Sequence, residues 1–332
     1  MEQYHIEKPK VLLSIVTWNH QKTIGATIES ILNQSYKSWE LVIFDNDSQD
    51  DTVEVLRQYE DNALITIIRN KTNEGFCGGH NYVIKKYQFD YIFLVNPDIV
   101  LSENYLERVL ESFLLDKSIG AVCGLLVQSF EENPIIDSAG MKLTRSRRFV
   151  MINHGINLRT AKLNSGFVSG LDGALPAFKK ETVDSLMING EFFNSMFFSH
   201  KEDWDISWRL ILFGWKVYFN KDCVAMHPRF FKPNKLILRK RIKADIKYHG
   251  FKNQFLLLLI NEDKTNFRKD LLSIAPRIIL TTIFCLVFER KSLKAYNYVI
   301  SNKKQIMTLR KLVQDQRKIP SEAFRHYLIA TN

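Results

Sequence analysis

The sequence predicts an α/β fold: a mostly parallel sheet with helices on both faces. Two patterns carry that expectation. Short apolar runs alternate with helical periodicity from Val11 to Val95, which is the rhythm of βαβ units. Polar clusters also follow these runs, at Thr17–Asn19, Asp45–Ser48, Asn73–Asn81 and Asp98. An open α/β sheet gathers its ligand at the carboxyl ends of its strands, so the four clusters should converge.

Taken in order, Val11 to Thr17 reads as a strand, and Thr23 to Gln34 as a helix with Ile24, Ile28, Ile31 and Leu32 at helical spacing. Leu41 to Phe44 is the next strand. The acidic loop Asp45 to Asp51 then leads into a helix from Thr52 to Tyr59. Leu64 to Ile68 is a third strand, and the Gly-rich segment Asn73 to Asn81 reads as a loop that opens another helix. Tyr91 to Val95 is the fourth strand, delivering Asp98 where an apolar run leaves the core. Beyond Ser102 the rhythm loosens: Gly120 to Val127 looks like a strand, whereas Asp137 to Gly166 is polar, basic and poorly periodic, a loop-rich insertion on the acceptor side. A catalytic module of residues 1–227 is expected, closing at His227, with residues 228–332 forming a basic helical region.

At 332 residues and 45% apolar composition the chain can bury a large core, which excludes disorder. Cys77, Cys123, Cys223 and Cys285 lie far apart with no CxxC pair, so reduced thiols are expected and a disulfide framework or zinc site is not. Met1 to Lys10 is polar and lacks the apolar core of a signal peptide, so the chain is expected on the cytoplasmic side.

Charge is unevenly distributed. Pro228 to Asn332 holds 23 Lys and Arg against 7 Asp and Glu, a net of +16, and the preceding residues net −6. The same third contains the apolar runs Phe255–Ile260 and Ile278–Phe288, the second about eleven residues long, short of the roughly 20 needed to span a bilayer. Basic residues beside apolar helix faces suit attachment to an anionic membrane surface; a solvated bundle or a dimer surface is the alternative. Nucleic acid would be another anionic partner, but Phe230, Phe231 and Tyr248 are sparse and follow no RNA-binding pattern, so none is expected.

Several residues carry candidate chemistry. Asp98 reads either as a cap for the helix after Ser102 or as a metal or phosphate ligand. Asp45, with Asn46 and Ser48, offers acceptors for a pyrimidine N–H and ribose hydroxyls, or else forms an Asx turn. The segment Gly75 to Asn81 allows close backbone approach, with a helix N-terminus behind it that favours phosphate. It matches neither GxGxxG nor Walker A, so a dinucleotide dehydrogenase and a P-loop kinase are unsupported. Glu202 and Asp203 open an amphipathic segment with Trp204, Ile206, Trp208, Leu210 and Ile211. One of the pair suits a general base, because an adjacent carboxylate raises its pKa; an acidic first turn is the plainer reading. Arg209 is expected to pair with one of these acids. His227, after an apparent strand, is either structural or a ligand to the same ion as Asp98.

Taken together, Thr17-Trp-Asn-His20, Asp45-Asn-Asp-Ser-Gln-Asp50, Asn73-Glu-Gly-Phe-Cys-Gly-Gly-His-Asn81, Asn96-Pro-Asp98, Asp172-Gly-Ala174 and Glu202-Asp-Trp-Asp205 resemble glycosyltransferase family 2. The Asn-Glu-Gly-Phe and Asn-Pro-Asp forms are most similar to bacterial rhamnosyltransferases of cell-wall, O-antigen and capsule assembly. The resemblance covers about residues 10–230 and implies a GT-A fold, direct displacement with inversion, and a nucleoside-diphosphate sugar donor, dTDP-rhamnose or alternatively a UDP-hexose. By motif it assigns donor binding to Thr17, Asn19, Asp45, Ser48, Asn73, Gly75, Phe76, Gly79, Asn81, Asn96, Asp172 and Gly173. Asp98 and His227 would hold Mg²⁺ or Mn²⁺, and Asp203, with Glu202 beside it, would deprotonate the acceptor hydroxyl. One departure weakens the metal site: the signature's first acid is Asn96 here, and a lone carboxylate needs phosphate and water oxygens to complete the shell of the ion. Lys252-Asn253 before a leucine run is similar to the membrane-proximal helices of polyprenol-linked relatives, which agrees with a lipid-linked glycan acceptor.

Overall fold

The computed structural model describes residues 8–228, 239 and 242–329. Phe230, Phe231 and most of the Met1–Lys10 leader lie outside them.

β1 (Val11–Thr17) is buried along its whole length, and its alternating side chains feed two cores. Val11, Leu13 and Ile15 pack with Ile24, Ile28 and Ile31 of α1 (Ile24–Leu32), whereas Leu12 and Val16 share a core with Cys77 and Val83. Burial of each such aliphatic side chain contributes about 1.5–3 kcal/mol, so both faces of the sheet are strongly specified.

The first half continues as β2 (Trp39–Asp45), α2 (Thr52–Arg57), β3 (Ile65–Arg69), α3 (Gly75–Lys86), β4 (Tyr91–Val95), β5 (Val100–Leu101), α4 (Tyr105–Leu114) and β6 (Ile119–Val127). Then come β7 (Ile136–Ser138), β8 (Met141–Thr144), β9 (Phe149–Met151), β10 (Gly166–Val168), β11 (Pro176–Lys179), α5 (Lys180–Leu186), α6 (Glu202–Leu212) and β12 (Lys216–Met226). The main sheet runs β10-β12-β6-β11-β4-β1-β2-β3, with β5 and β7 attached to its side. β1 pairs in parallel with β2 and β4, and β2 with β3; β11 is inserted antiparallel between β4 and β6. The expected α/β sheet with helices on both faces is thus the fold.

Two segments differ from the sequence reading. The Gly-rich stretch is the first turns of α3 itself, because its glycines are demanded by packing: a Cβ on Gly79 would lie 2.7 Å from Val16 and 3.1 Å from Phe44. The stretch Asp137 to Gly166 contains β7 and the β8–β9 hairpin, whose tip Arg147 is buried between Glu262 and Asp270. Its charges are partners in a buried network, which a hydrophobic pattern cannot register.

The C-terminal part comprises α7 (Ala244–Asn261), α8 (Lys264–Lys269), α9 (Leu271–Phe288), α10 (Lys294–Ser301), α11 (Lys303–Asp315) and α12 (Ser321–Phe324), followed by β13 (Leu328–Ile329), which pairs with β8. Leu256, Leu257 and Ile260 of α7 join the same core as Leu12 and Val16. α9 is longer than the eleven-residue run suggested, because the helix continues through Pro276 and Arg277, whose guanidinium donates to the Ser146 carbonyl at 2.5 Å. Among the described residues, this 18-residue helix, of mean hydropathy 2.2, is the one long and apolar enough to cross a membrane by length and composition.

Candidate active site

The parallel register places Thr17 beside Asp45 at the carboxyl ends of β1 and β2. Backbone and side chain then lace the loops after them: Asn46 N–H donates to the Thr17 carbonyl at 2.8 Å, Asn19 N–H to Ser48 Oγ at 2.9 Å, and Gln49 N–H to Asn19 Oδ1 at 2.7 Å. Asn19 and Asp47 both adopt the left-handed conformation, at φ 62° and 63°, tolerable for Asn and Asp. Asp45 is 2% exposed and accepts the Ser48 N–H and hydroxyl. Asn46, named with Asp45 and Ser48 as an acceptor, joins this group to α3 by accepting the Glu74 N–H and donating to the Gly75 carbonyl, both at 3.0 Å.

Asp98 lies beyond β4 and does not cap the helix after Ser102, whose N-terminal residue Asn104 stands there instead. Its carboxylate is 3.5 Å from His227 Nε2, and His227 Nδ1 meets Asp137 Oδ2 at 2.8 Å. Burial disfavours charge on His227, but its bonds to Asp137 and Asp98 win and raise the imidazole to about 9. Burial likewise works against charge on Asp98 and is outweighed by the His227 bond and the charges of His227 and His20, so its pKa falls below the usual carboxylate value. Asp137 was hidden in the segment read as irregular; the apolar Ile135-Ile136 before it was the available signal. Among the described residues no group of three or more His, Cys, Asp and Glu side chains is placed to hold a metal ion. Asp98 oxygen and His227 nitrogen suit Mg²⁺ or Mn²⁺ only as part of a shell completed by ligand oxygens.

α6 begins at Glu202, as expected, and carries the acidic pair in its first turn. The Glu202 carboxyl is pushed well above its ordinary value, first by burial and then by the Asp203 carboxylate. Asp203 Oδ2 accepts the Gly173 N–H at 3.3 Å, and Asp172 Oδ1 accepts the Ala174 N–H at 3.0 Å. The Ala174 carbonyl in turn accepts the Asn96 N–H at 2.9 Å. One short loop therefore joins the turn bearing Asp98 to the pair on α6. Arg209 does not pair with Glu202 or Asp203: it bridges to Asp205 at 2.8 Å and donates to the Leu186 and Phe192 carbonyls, because one helical turn sets Asp205 beside it.

The backbone entering α6 is unusual, with Phe198, His200 and Lys201 at φ 63°, 68° and 65°. Such a run costs of order 1–3 kcal/mol per residue and needs outside support. α7 supplies it. Asn253 Nδ2 donates to the carbonyls of Phe197, Ser199 and His200 at 3.0, 2.8 and 2.5 Å, and Lys252 donates to the Met196 carbonyl.

Asn73, Gly75, Phe76, Gly79 and Asn81, assigned to the donor by motif, also make contacts within the fold. Asn81 spends its amide on the backbone of Phe193, at 2.7 and 2.8 Å, and Gly79 lies against Val16 and Phe44, so both hold α3 in place. Asn73 accepts the Gly75 N–H at 2.9 Å in an Asx turn, and Gly75, at φ 71°, passes so close to Phe198 that a Cβ would lie 2.6 Å from its carbonyl oxygen. Phe76 packs edge-on against His80 and Phe193 and lines a small crevice with Gly173 and Asp203.

Residues 13–172 of the chain match the family model described as Glycosyl transferase family 2. Among curated proteins it is similar to poly-beta-1,6-N-acetyl-D-glucosamine synthase of Staphylococcus aureus (strain COL), with 23% identity over 205 residues, 62% of this chain and 46% of that protein. The Staphylococcus epidermidis protein of the same name is 21% identical over 65% of this chain and 49% of its own length. The chain spans about half the length of these relatives. Among solved structures, mannosyltransferase PcManGT from Pyrobaculum calidifontis, in complex with GDP-Man and Mn²⁺, has a TM-score of 0.54 at 14% identity, covering 94% of this chain and 86% of that one. GalNAc-T7 with UDP, GalNAc and Mn²⁺ has a TM-score of 0.58 at 16% identity over 76% of this chain and 48% of its own. The fold is that of GT-A glycosyltransferases.

Proposed function

We propose that the chain is an inverting glycosyltransferase that moves a sugar from a nucleoside-diphosphate donor onto a hydroxyl of a growing, lipid-linked surface glycan. One observation carries the reading: the loop Asp172–Ala174 is bonded both to Asn96 and to Asp203. Asp45 and Asp98, at strand ends suited to a nucleotide and its diphosphate, are thereby held in register with an acid able to take a proton.

Asp203 is the base. Glu202 is raised by burial and then by the Asp203 carboxylate, which favours its neutral form. The Gly173 N–H orients that carboxylate toward the acceptor hydroxyl, and attack on the anomeric carbon needs no covalent enzyme intermediate. Mg²⁺ or Mn²⁺ bound at Asp98, with His227 beside it, would offset charge on the leaving diphosphate. Manganese in both similar structures supports this role.

The motif forms favour dTDP-rhamnose as donor; the names of the curated relatives favour a UDP-linked N-acetylhexosamine as the second reading. The exposed outer side of α9 and the basic C-terminal composition support a peripheral position on the cytoplasmic face of a membrane. Calorimetric titration of dTDP-rhamnose, UDP-N-acetylglucosamine, UDP-galactose and GDP-mannose, each with Mn²⁺ and with EDTA, tests the proposal. Metal-dependent binding of one donor is expected, and no binding of any donor would overturn it.

A further inference from the structure

Asp137 carries a carboxylate sealed from solvent, on a strand whose residues Ile136 and Ser138 are buried with it. An ionised group is tolerated in such a place only beside a partner that replaces its lost hydration. That partner is His227, and the sheet brings the two together. β7 pairs antiparallel with the end of β6, with Leu126 opposite Ser138 and Val127 opposite Ile136. Asp137 is therefore the extra residue of a β-bulge, a device that re-aims a side chain out of the regular alternation. The same Val127 offers its carbonyl to the His227 N–H, at 2.8 Å, where β12 ends beside β6. The end of β6 thus sets the bulge next to the imidazole, and Asp137 Oδ2 lies 2.8 Å from His227 Nδ1. His154 braces the bulge, its Nδ1–H donating to the Asp137 carbonyl at 2.7 Å.

This contact selects one ring nitrogen. A carboxylate accepts and does not donate, so Nδ1 carries the hydrogen, and Nε2 is the nitrogen left to face Asp98 Oδ1 at 3.5 Å. Exposure falls along the row: the side chain of Asp98 is 21% exposed, that of His227 7% and that of Asp137 0%. A cation entering from the cleft meets Asp98 and Nε2, whereas Asp137 stays behind the ring. In an octahedral shell with bonds of about 2.1 Å, adjacent ligand atoms stand about 3 Å apart. The 3.5 Å between Oδ1 and Nε2 is close to what two neighbouring positions on one ion require.

We propose that Asp137 is a positioning residue for the divalent ion: it holds the His227 ring with Nε2 turned to Asp98, without itself touching ion, donor or acceptor. The assignment rests on the reading of Asp98 and His227 as metal ligands given above. A carboxylate behind a ligating imidazole fixes its tautomer and its rotation and makes it a better ligand.

Mn²⁺ binding to the full chain is measured by electron paramagnetic resonance in the presence of UDP and of dTDP, and nucleotide binding by calorimetry in Mn²⁺ and in EDTA. Asp137→Asn should weaken Mn²⁺ binding by about 10–100-fold while nucleotide binding in EDTA stays within about twofold. In a His227→Ala background the same substitution should cost no further Mn²⁺ affinity, because Asp137 acts only through the ring. A merely structural pair would lower Tm and leave Mn²⁺ affinity unmoved; that result would overturn the proposal, as would additive losses in the double variant. If Asp137→Asn does not fold, ¹⁵N-histidine NMR of the unmodified chain with Mg²⁺ and nucleotide decides. His227 should show a hydrogen on Nδ1 and none on Nε2, and the opposite tautomer would overturn the assignment. Nucleotide binding that is indifferent to Mn²⁺ would remove the ion, and this role with it, while leaving the transferase reading intact. Absence of nucleotide binding under every condition would overturn both.

Discussion

Asp203 Oδ2 and the Gly173 amide nitrogen are 3.3 Å apart, a contact that registers the start of α6 against the loop leading into β11, in the middle of the sheet. A Cβ added at Gly173 would lie 3.1 Å from the Asp203 Cβ. Gly173→Ala should therefore displace Asp203 by a few tenths of an ångström and, if Asp203 acts as the proposed base, lower kcat by about tenfold, since catalysis is steeply sensitive to alignment. Asp203→Asn should abolish transfer. Donor Kd from calorimetry should change little in either variant; a parallel loss of donor affinity would remove Asp203 from the role of base.

Asp98 is tested at the other end of the same loop. Asp98→Ala should weaken donor binding by about tenfold or more in Mn²⁺ and have little effect in EDTA. Unchanged affinity in Mn²⁺ would take Asp98 out of the metal site.

Asn253 lies 50 residues from the acidic pair in sequence yet holds three carbonyls of the segment that leads into it. Asn253→Ala should cost about 1–3 kcal/mol of stability, since buried acceptors lose their donor. Transfer should fall more than donor binding does. Thermal unfolding together with steady-state kinetics separates the two effects, and a normal kcat would show that the left-handed run stands without help.

Burial also sets a pH dependence. His80 is fully buried, its Nδ1 2.8 Å from Ser14 Oγ, and its imidazole is lowered from 6.5 to about 3. The folded protein favours the neutral ring, so this part of the stability is complete above about pH 6.5 and is lost as pH falls toward 3. Each unit within that window costs up to about 1.4 kcal/mol. The decline in Tm between neutral pH and pH 5 should be shallower in His80→Gln than in the unmodified chain; equal slopes would place the proton uptake elsewhere.

Much of this architecture is legible in the sequence because the parallel sheet is buried on both faces and its strands read as continuous apolar runs. β1 and β4 fall where the pattern puts them, and Asp45, Asp98 and Glu202 each stand at the element end expected of them. What the pattern hides is polar and buried together. Arg147, Asp137 and Asp205 look like surface residues until their partners Glu262, His227 and Arg209 are found, far off or one turn away. Glycines mislead in the opposite sense: Gly79 reads in the sequence as part of a loop open to close approach by a ligand, and in the structure it makes tight helix–sheet contact. The reach of α9 was masked by Arg277, a charge that would end a surface-apolar run but is absorbed here by a carbonyl on the β8–β9 hairpin.

The Asn253 clamp also bears on how such a chain can be inherited or recombined. The stretch that matches the family model ends at residue 172, ahead of Asp203 and of the helix that fixes its approach. A sheet exchanged with a relative at that boundary, or at His227, would arrive with an Asp203 whose entry segment had lost its donor. An exchange that preserves this entry segment must therefore carry the sheet, α6 and α7 as one linked block, with Lys252 and Asn253 kept, because their partners are backbone carbonyls of the segment.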